Sequence, residues 1–281
     1  MLDYEAENLD ALYLADADID QCDDNPNLRS HIHSYDPMES RFIILNVKEK
    51  PWDNIKVREA FSYAVDKEEI TRDLYKGRSI PAGCLISTNV NGHDSSVPVK
   101  KYDPEKSKQI LEKAGVKLPI KVDLVISNTS TSVGGAKIAA PLKSQAEKAG
   151  FDINIVQTDA ASREAMRKKG ALSFLIAIWE VYFPEADGLL YRLFHSKNSP
   201  SFSSNYKSKE YDNLVEKARA TMDKNERSEI YKQADKKLVD EDFAVIPIEY
   251  RQQHYMTQPW LKNFNIKYSI LPFKTCSIEK S

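Results

Sequence analysis

The stretch FLIAIWEVYFPEADGLLYRLFHSKNSPSFSSNYKSKEYD, residues 174–212, predicts a buried strand that ends in a loop. It begins with an apolar run, Phe174 to Ile178, which is typical of a strand inside a sheet. Trp179 follows, then a polar-aromatic loop with Pro184 and a short amphipathic helix over 189–194. A strand that brings a tryptophan and carboxylates to a loop suits one wall of a ligand pocket, because apolar groups hold a ligand body and a few polar groups orient it. The alternative is a core tryptophan in an ordinary α/β domain.

The elements before this loop alternate between strand and helix. Apolar runs predict strands over 120–126, 151–157 and 172–178, and helical periodicity predicts helices over 135–149 and 160–169. This order is typical of an α/β fold with a mixed, mainly parallel sheet that is flanked by helices. We expect Leu172–Ile178 to be the central strand.

Further elements are predicted on both sides of this block. A continuous apolar run predicts a buried strand at Arg41–Asn46. Two amphipathic helices are predicted within 207–241. The strand Ala244–Tyr250 contains Pro247, which cannot donate a hydrogen bond to a neighbouring strand. We therefore expect this strand at a sheet edge or at a bend between domains.

Several helix starts are marked by residues that favour the N-cap position. Asp53 or Asn54, then Asp66, then Asp103 each precede a helical pattern. Their side-chain oxygens can accept hydrogen bonds from the first N–H groups of the helix. The segment 78–99 has no such pattern and predicts a long loop, a kind that is often functional or fixed on the surface.

Length and charge limit the function classes. A chain of 281 residues can bury one large core or two smaller ones. Its net charge of −2 argues against nucleic-acid binding, which needs a clustered basic surface. No apolar run approaches the roughly 18 residues of a membrane span. The first residues, MLDYE, are polar and acidic, so we expect the signal region to be absent from this chain.

Cysteine and histidine spacing gives no metal motif. Cys22, Cys84 and Cys276 lie far apart without a CxxC pattern, which argues against a zinc or redox site. The odd count gives no disulfide framework, and three unbridged thiols are favoured over a single bridge. The pair His31 and His33 is interpreted as a strand or loop feature, because no cysteine or carboxylate pattern accompanies it.

Signatures of common enzyme classes are absent from the sequence. There is no GxSxG elbow, no P-loop and no GxGxxG motif after a strand. An uncharacterised α/β enzyme domain remains a less favoured alternative to a binding protein. A third alternative is an interaction module that docks on a permease or a sensor.

Several segments resemble one protein family in the same order along the chain. The chain resembles the C-terminal portion of the oligopeptide- and dipeptide-binding proteins of ABC importers, the family 5 extracellular solute-binding proteins. The segments are FIILNVKEKPWDNIKVREAFSYAVDKEEI (42–70), YDPEKSKQILEKAG (102–115), the loop that begins at Trp179 (179–187, called the Trp179 loop), NYKSKEYDNLV (205–215) and DEDFAVIPIEYRQQHYMTQPWLKNF (240–264).

This resemblance implies a two-lobed extracytoplasmic receptor that closes over a peptide or another small solute, without catalysis or a cofactor. It implies ABC permease subunits as partners, a monomer, and a periplasmic or lipid-anchored location. On that basis residues 46–243 form a complete periplasmic-binding-protein-like lobe. Residues 1–45 and 244–281 are then remnants of the other lobe, joined through hinge strands at Phe42–Val47 and Ala244–Tyr250.

The resemblance also implies a ligand site at the Trp179 loop. Peptide-binding members commonly read W-x-x-D-Y-x-D-P here, and the first Asp neutralises the peptide's α-amino group. That position is Tyr182 in this chain, and tyrosine carries no charge at neutral pH. Either Glu180 or Glu185 substitutes from a neighbouring position, or the ligand has no free amine, as in an amine-free solute or a metal chelate.

Two more residues complete the expected ligand site. Arg167 lies on the helix before the central strand, where peptide binders can place a basic group toward the cleft; a solvated surface arginine is the alternative. Tyr250, near the second hinge strand, is expected either to line the cleft or to pack in the hinge.

Overall fold

The computed structural model describes residues 1–23, 25–127, 133–267 and 270–280. The chain forms two units, a smaller one from Met1–Met38 with Arg251–Ser281 and a larger one from Glu39–Tyr250. The predicted boundaries were 45/46 and 243/244, so both predicted hinge strands fall with the larger unit. That the smaller unit is a remnant of a second lobe remains a prediction.

Strands and helices are numbered in chain order. The strands are β1 (Ala11–Leu14), β2 (Ile32–Tyr35), β3 (Glu39–Leu45), β4 (Ser79–Pro81), β5 (Ile120–Ser127), β6 (Phe151–Thr158), β7 (Phe174–Glu180), β8 (Val245–Arg251), β9 (Gln253–Thr257), β10 (Leu261–Lys262) and β11 (Ser277–Ile278). The α-helices are α1 (Leu2–Glu5), α2 (Asp16–Asp23), α3 (Pro26–Arg29), α4 (Ile55–Ser62), α5 (Lys67–Glu69), α6 (Pro104–Lys113), α7 (Val133–Lys148), α8 (Ala160–Lys168), α9 (Asp187–Phe194), α10 (Lys209–Ala220) and α11 (Lys224–Lys236). Among the described residues, no helix has the length and apolar character needed to span a membrane.

The larger unit is built on a six-stranded sheet in the order β4-β8-β3-β7-β5-β6. Strand β5 runs parallel to β6 and β7, whereas β3 runs antiparallel to β7 and β8. The predicted α/β fold with a mixed sheet is confirmed, and β7 is a central strand. The sheet is not mainly parallel as predicted, because β3 runs antiparallel to both of its neighbours, β7 and β8.

Side-chain caps lie at the helix starts that the sequence predicts. The carboxylate of Asp66 accepts a hydrogen bond from Glu69 N at 2.8 Å, and that of Asp103 accepts one from Lys106 N at 2.8 Å. Asn54 rather than Asp53 caps α4. Each cap satisfies an N–H group that has no partner inside its own helix.

An aromatic cluster forms the centre of the core on one face of the sheet. Trp52 and Phe61 have ring centroids 4.9 Å apart, as do Phe61 and Phe151, and Trp52 lies 5.6 Å from Phe174. The indole N–H of Trp52 donates to Ser173 Oγ at 2.9 Å, so the buried ring leaves no donor unpaired. Helices α4, α6 and α7 contribute the apolar side chains around this cluster.

Strand β8 is not an edge strand, so that part of the prediction is wrong. It lies between β4 and β3 in the sheet. Pro247 is paired opposite Phe42, and the register of β3 and β8 shifts between Arg41 and Phe42. The irregularity accommodates a residue that cannot donate to the ladder.

The long loop 78–99 is fixed by two buried ionisable side chains. Lys67 Nζ donates to Ala82 O at 2.9 Å, and burial lowers the pKa of Lys67 to about 7. The carboxylate of Asp235 accepts from Leu85 N at 3.0 Å and from Ile86 N at 2.9 Å. The loop therefore has a defined course although it contains only the short strand β4.

The smaller unit has a three-stranded antiparallel sheet in the order β1-β9-β2. His33 lies in β2, where its Nε2 is 3.1 Å from Thr257 Oγ1, and Nδ1 of His31 is 2.9 Å from the Tyr4 hydroxyl. No disulfide joins the cysteines in the described part of the chain.

We predict that Asp235 makes the stability of the chain depend on pH. Burial raises its pKa from 3.8 to about 7, although the backbone donors oppose the shift. The folded state therefore keeps a proton that the unfolded state loses. This stabilisation is complete below pH 3.8 and is lost as the pH rises through 7.

Urea unfolding of the wild type and of Asp235→Asn tests this prediction. From about pH 4 to pH 7 the free energy of unfolding of the wild type should fall relative to that of the variant, by about 4 kcal/mol at most. Parallel pH profiles of the two proteins would contradict it.

Candidate functional site

A pocket of about 400 Å³ lies along strands β5 and β7 of the larger unit's sheet. Strands β5 and β7 form its floor, and helix α8 and a short 3₁₀ turn with Phe202 form its sides. Crevices at the carboxyl ends of strands are common ligand sites in α/β folds. The lining residues are Ile44, Val125, Ile126, Ser127, Ala136, Arg163, Glu164, Arg167, Leu175, Ile176, Ala177, Ile178, Trp179, Leu193 and Phe202.

Two further cavities in the described part of the chain lack this combination of apolar wall and basic groups. A pocket of about 490 Å³ in the smaller unit is mostly apolar, with Tyr13, Phe264 and Phe273 among its lining. A pocket of about 600 Å³ beside β5 and β6 is lined mainly by polar and charged side chains. The pocket on the larger unit is therefore the best candidate for a ligand site, and we call it the Trp179 pocket.

Trp179 is fixed in the wall of this pocket. Side chains alternate along a strand, so Leu175, Ala177 and Trp179 lie on the same face of β7. The indole N–H of Trp179 donates to Gly188 O at 2.8 Å. Its ring meets Phe202 edge to face, with centroids 5.7 Å apart. The ring is thus held in place while part of it remains accessible.

Glu180 and Tyr182 lie outside the lining. The same alternation places Glu180 on the opposite face of β7, where it is paired across from Glu39 of β3. Tyr182 and its neighbour Phe183 are 73% and 76% exposed at the tip of the loop.

Glu185 is held in an ion pair that fixes the loop. Its carboxylate binds Arg227 at two points, Nη2 to Oε1 at 2.8 Å and Nε to Oε2 at 3.1 Å. These hydrogen bonds hold the pKa of Glu185 below its usual value. Beside it, Asn91 N donates to Pro184 O at 3.0 Å. Glu185 therefore ties the loop to α11 and to the segment 78–99.

Arg167 lines the pocket but is already paired. Its Nε and Nη2 donate to the two oxygens of Glu164 at 2.7 and 2.6 Å. Its Nη1 donates to Ser201 O, and its guanidinium lies 5.2 Å from the centre of the Phe202 ring. The hydrogen bonds of Glu164 raise the pKa of Arg167.

Arg163 is a lining residue that the sequence analysis did not select. It precedes Arg167 by one helical turn on α8, a spacing that places both side chains on one face. Its Nε donates to Val125 O at 3.0 Å. The signal in the sequence was this spacing, but the sequence alone does not show which arginine is paired.

Tyr250 is in a different part of the larger unit. It is 4% exposed, and its hydroxyl donates to Cys84 O at 2.7 Å and accepts from Cys84 N at 3.2 Å. These contacts fit the packing alternative.

The structure thus places two predicted residues, Trp179 and Arg167, in one pocket. Glu180, Tyr182, Glu185 and Tyr250 do not line it. The ligand-binding role of each remains a prediction.

The family model and the relatives that match this chain agree on one protein family. Residues 1–201 match the model of bacterial extracellular solute-binding proteins, family 5 middle. A dipeptide-binding protein of Escherichia coli is 30% identical over 210 residues, which is 73% of this chain and 39% of that protein. Heme-binding protein A of Haemophilus influenzae is 30% identical over 196 residues, 69% of this chain and 36% of that protein. The chain matches well under half of the length of these relatives.

A solved structure shows the same fold. The ABC transporter-associated periplasmic binding protein DppA from Helicobacter pylori, in complex with the peptide STSA, superposes with a TM-score of 0.81 at 20% identity. The match covers 99% of this chain and 54% of that one. The predicted periplasmic-binding-protein-like fold is therefore confirmed.

We predict that Arg227 limits the motion of the Trp179 loop. In Arg227→Ala the Glu185 carboxylate loses its two-point partner, so the loop should open more often. The amide of Asn91, which donates to Pro184 O, should then exchange with solvent about fivefold faster, as expected for loss of a partly exposed ion pair worth about 1 kcal/mol.

Hydrogen exchange followed by NMR measures this effect. Lys232→Ala is the matched control, because Lys232 lies on the same helix and its ion pair with Glu229 stays within that helix. Equal exchange at Asn91 in the two variants would show that Arg227 does not hold the loop.

Proposed function

The chain belongs to the family 5 bacterial extracellular solute-binding proteins, and on that premise we propose that it is the C-terminal part of a receptor that captures peptides for an ABC importer. The family identified from the sequence is confirmed, and it is a family of solute receptors. In the proposed receptor two lobes close over the solute, and this chain supplies one wall of the site.

The Trp179 pocket is the observation that carries this proposal. Its walls are mostly apolar, and its few polar groups are concentrated on α8. Binding sites for small molecules commonly combine an apolar lining with a few placed polar groups. Trp179 and Phe202 supply flat surfaces for a ligand body, and the arginines of α8 supply hydrogen-bond donors.

Location and partners follow from the same proposal. The receptor would act outside the cytoplasm, in the periplasm or anchored by lipid to the outer face of the membrane. It would deliver its solute, as a monomer, to the permease subunits of the importer. The family description as extracellular and the relative named as dipeptide-binding support this assignment.

A non-peptide solute is the second candidate, and the loop geometry favours it specifically. Neither Glu180 nor Glu185 lines the Trp179 pocket, which supports a ligand without a free amine. Tyr182 is uncharged and exposed, Glu180 is on the other face of β7, and Glu185 is paired with Arg227. One relative is named as a heme-binding protein, so the family includes members named for other solutes.

Calorimetry on the complete receptor that carries this chain tests the proposed function. A panel of short peptides and small non-peptide solutes should contain at least one that binds in the micromolar range or tighter, a range typical of specific recognition. Binding of peptides alone would support the first candidate, and binding of amine-free solutes alone the second. No binding across the panel would contradict the receptor assignment.

We predict that Tyr182→Asp changes the preference for a free amino terminus. A new carboxylate at this position should strengthen binding of a free-amine peptide relative to its N-acetylated twin by about threefold, because an ion pair at an exposed position contributes about 0.2–1 kcal/mol. Phe183→Asp is the matched control, since Phe183 is the adjacent residue and is similarly exposed.

Calorimetry of both variants with the two peptides gives the answer. An unchanged ratio of affinities in Tyr182→Asp would show that position 182 does not face the ligand. A similar change in Phe183→Asp would show that only the general charge of the loop matters.

A further inference from the structure

The charges that line the Trp179 pocket do not cancel. Its charged lining residues are Arg163, Glu164 and Arg167. Glu164 is bound through both oxygens by Arg167, and Lys168 approaches it at 3.7 Å. The hydrogen bonds of Arg167 hold the pKa of Glu164 below its usual value, so it is ionised and paired at neutral pH. The lining therefore carries one net positive charge. Glu164 also attracts Arg163, but both of its oxygens are hydrogen-bonded to Arg167.

The guanidinium of Arg163 is oriented by a single hydrogen bond. Its Nε donates to Val125 O, a backbone atom of β5, at 3.0 Å. Within residues 25–127 and 133–267, neither Nη atom of Arg163 has a hydrogen-bond or ion-pair partner. The hydrogen bond at Nε holds the guanidinium beside β5, and its Nη donors remain available to a ligand. Such a fork matches the two oxygens of a carboxylate.

The surroundings of Arg163 strengthen its attraction for an anion. Burial disfavours its charged form and lowers its pKa, yet an arginine remains protonated at neutral pH. A charge that has lost part of its water gains more from a counter-ion than a fully solvated charge. The apolar residues of β5 and β7 beside it limit how much water can replace a ligand.

We propose that Arg163 binds a carboxylate of the solute and makes the Trp179 pocket selective for anionic ligands. The inference rests on the proposed function only in that this pocket receives the solute. A ligand with an apolar body would lie against Trp179 and Phe202, with its carboxylate on Arg163. This contact does not require a free amine, and neither Glu180 nor Glu185 lines the pocket. The C-terminal carboxylate of a peptide and that of a non-peptide acid satisfy the same requirement.

Matched acid and amide probes test this selectivity on the 281-residue chain, since every lining residue lies within the larger unit. The first pair is N-acetyl-L-phenylalanine and its amide. The second is 3-phenylpropionate and 3-phenylpropanamide, which lack a peptide bond. Within each pair only the charge and oxygen pattern of one group differ. Dissociation constants are obtained from NMR chemical-shift titrations, which measure weak binding.

The wild type should bind each acid about tenfold more tightly than its amide. In Arg163→Gln the two probes of a pair should bind equally. Lys169→Gln, which removes the same charge at the exposed end of the same helix, should keep the wild-type preference. Preference in the first pair alone would assign the site to peptide-like acids, and preference in both pairs to carboxylates in general.

The proposal is overturned if the wild type shows no preference, if it binds neither acid up to the solubility limit, or if Arg163→Gln keeps the preference. Thermal unfolding shows whether that variant is folded. If it is not, Arg163→Lys decides, because lysine keeps the charge but not the fork. A reduced preference then supports the proposal, and an unchanged one overturns it. If the chain prefers the acids but the complete receptor binds no solute, the carboxylate-binding role of Arg163 is supported and the receptor function is refuted.

Discussion

Strand β7 lies between β3, to which it is antiparallel, and β5, to which it is parallel. Both the core and the candidate site of the larger unit depend on this position. Seven residues of β7 pair antiparallel with Glu39–Leu45, while Phe174 pairs in parallel with Leu124 of β5. The face of β7 with Phe174 packs on the aromatic core, and the other face carries Trp179 into the pocket. A shift of one residue in this pairing would exchange the two faces and bury Glu180 where Trp179 lies. The register that stabilises the core therefore also positions the site.

The fold was predictable wherever the signal is local. Apolar runs located β5, β6 and β7, and the caps at Asp66 and Asp103 marked helix starts, because both effects act within a few residues along the chain. Strand direction was predicted less well. The pairing of β3 with β7 joins residues that are more than a hundred positions apart, and periodicity carries no information on such partners. The sheet edge, one of the two positions expected for the strand with Pro247, was wrong for the same reason.

For the candidate site, too, local features could be predicted from the sequence and long-range contacts could not. Trp179 could be selected from sequence because an apolar run delivers it to a loop. The sequence could not show which charged side chains are paired with one another. Glu185 is paired with Arg227 on a distant helix, and only the folded chain shows this. Arg163 and Arg167 stand four positions apart in one helix. Glu164 of the same helix and Ser201 O bind Arg167, whereas among the described residues Arg163 makes a single hydrogen bond, to Val125 O.

The arrangement of the smaller unit has a consequence for the order of folding. Its middle strand β9, from residues 253–257, lies between β1 and β2 from the first 35 residues. The larger unit is continuous in sequence, so during synthesis it can fold as soon as residue 250 has left the ribosome. The smaller sheet forms later, when the late strand closes a loop of more than two hundred residues. Prior folding of the larger unit shortens the effective length of that loop and lowers the entropic cost of closing it.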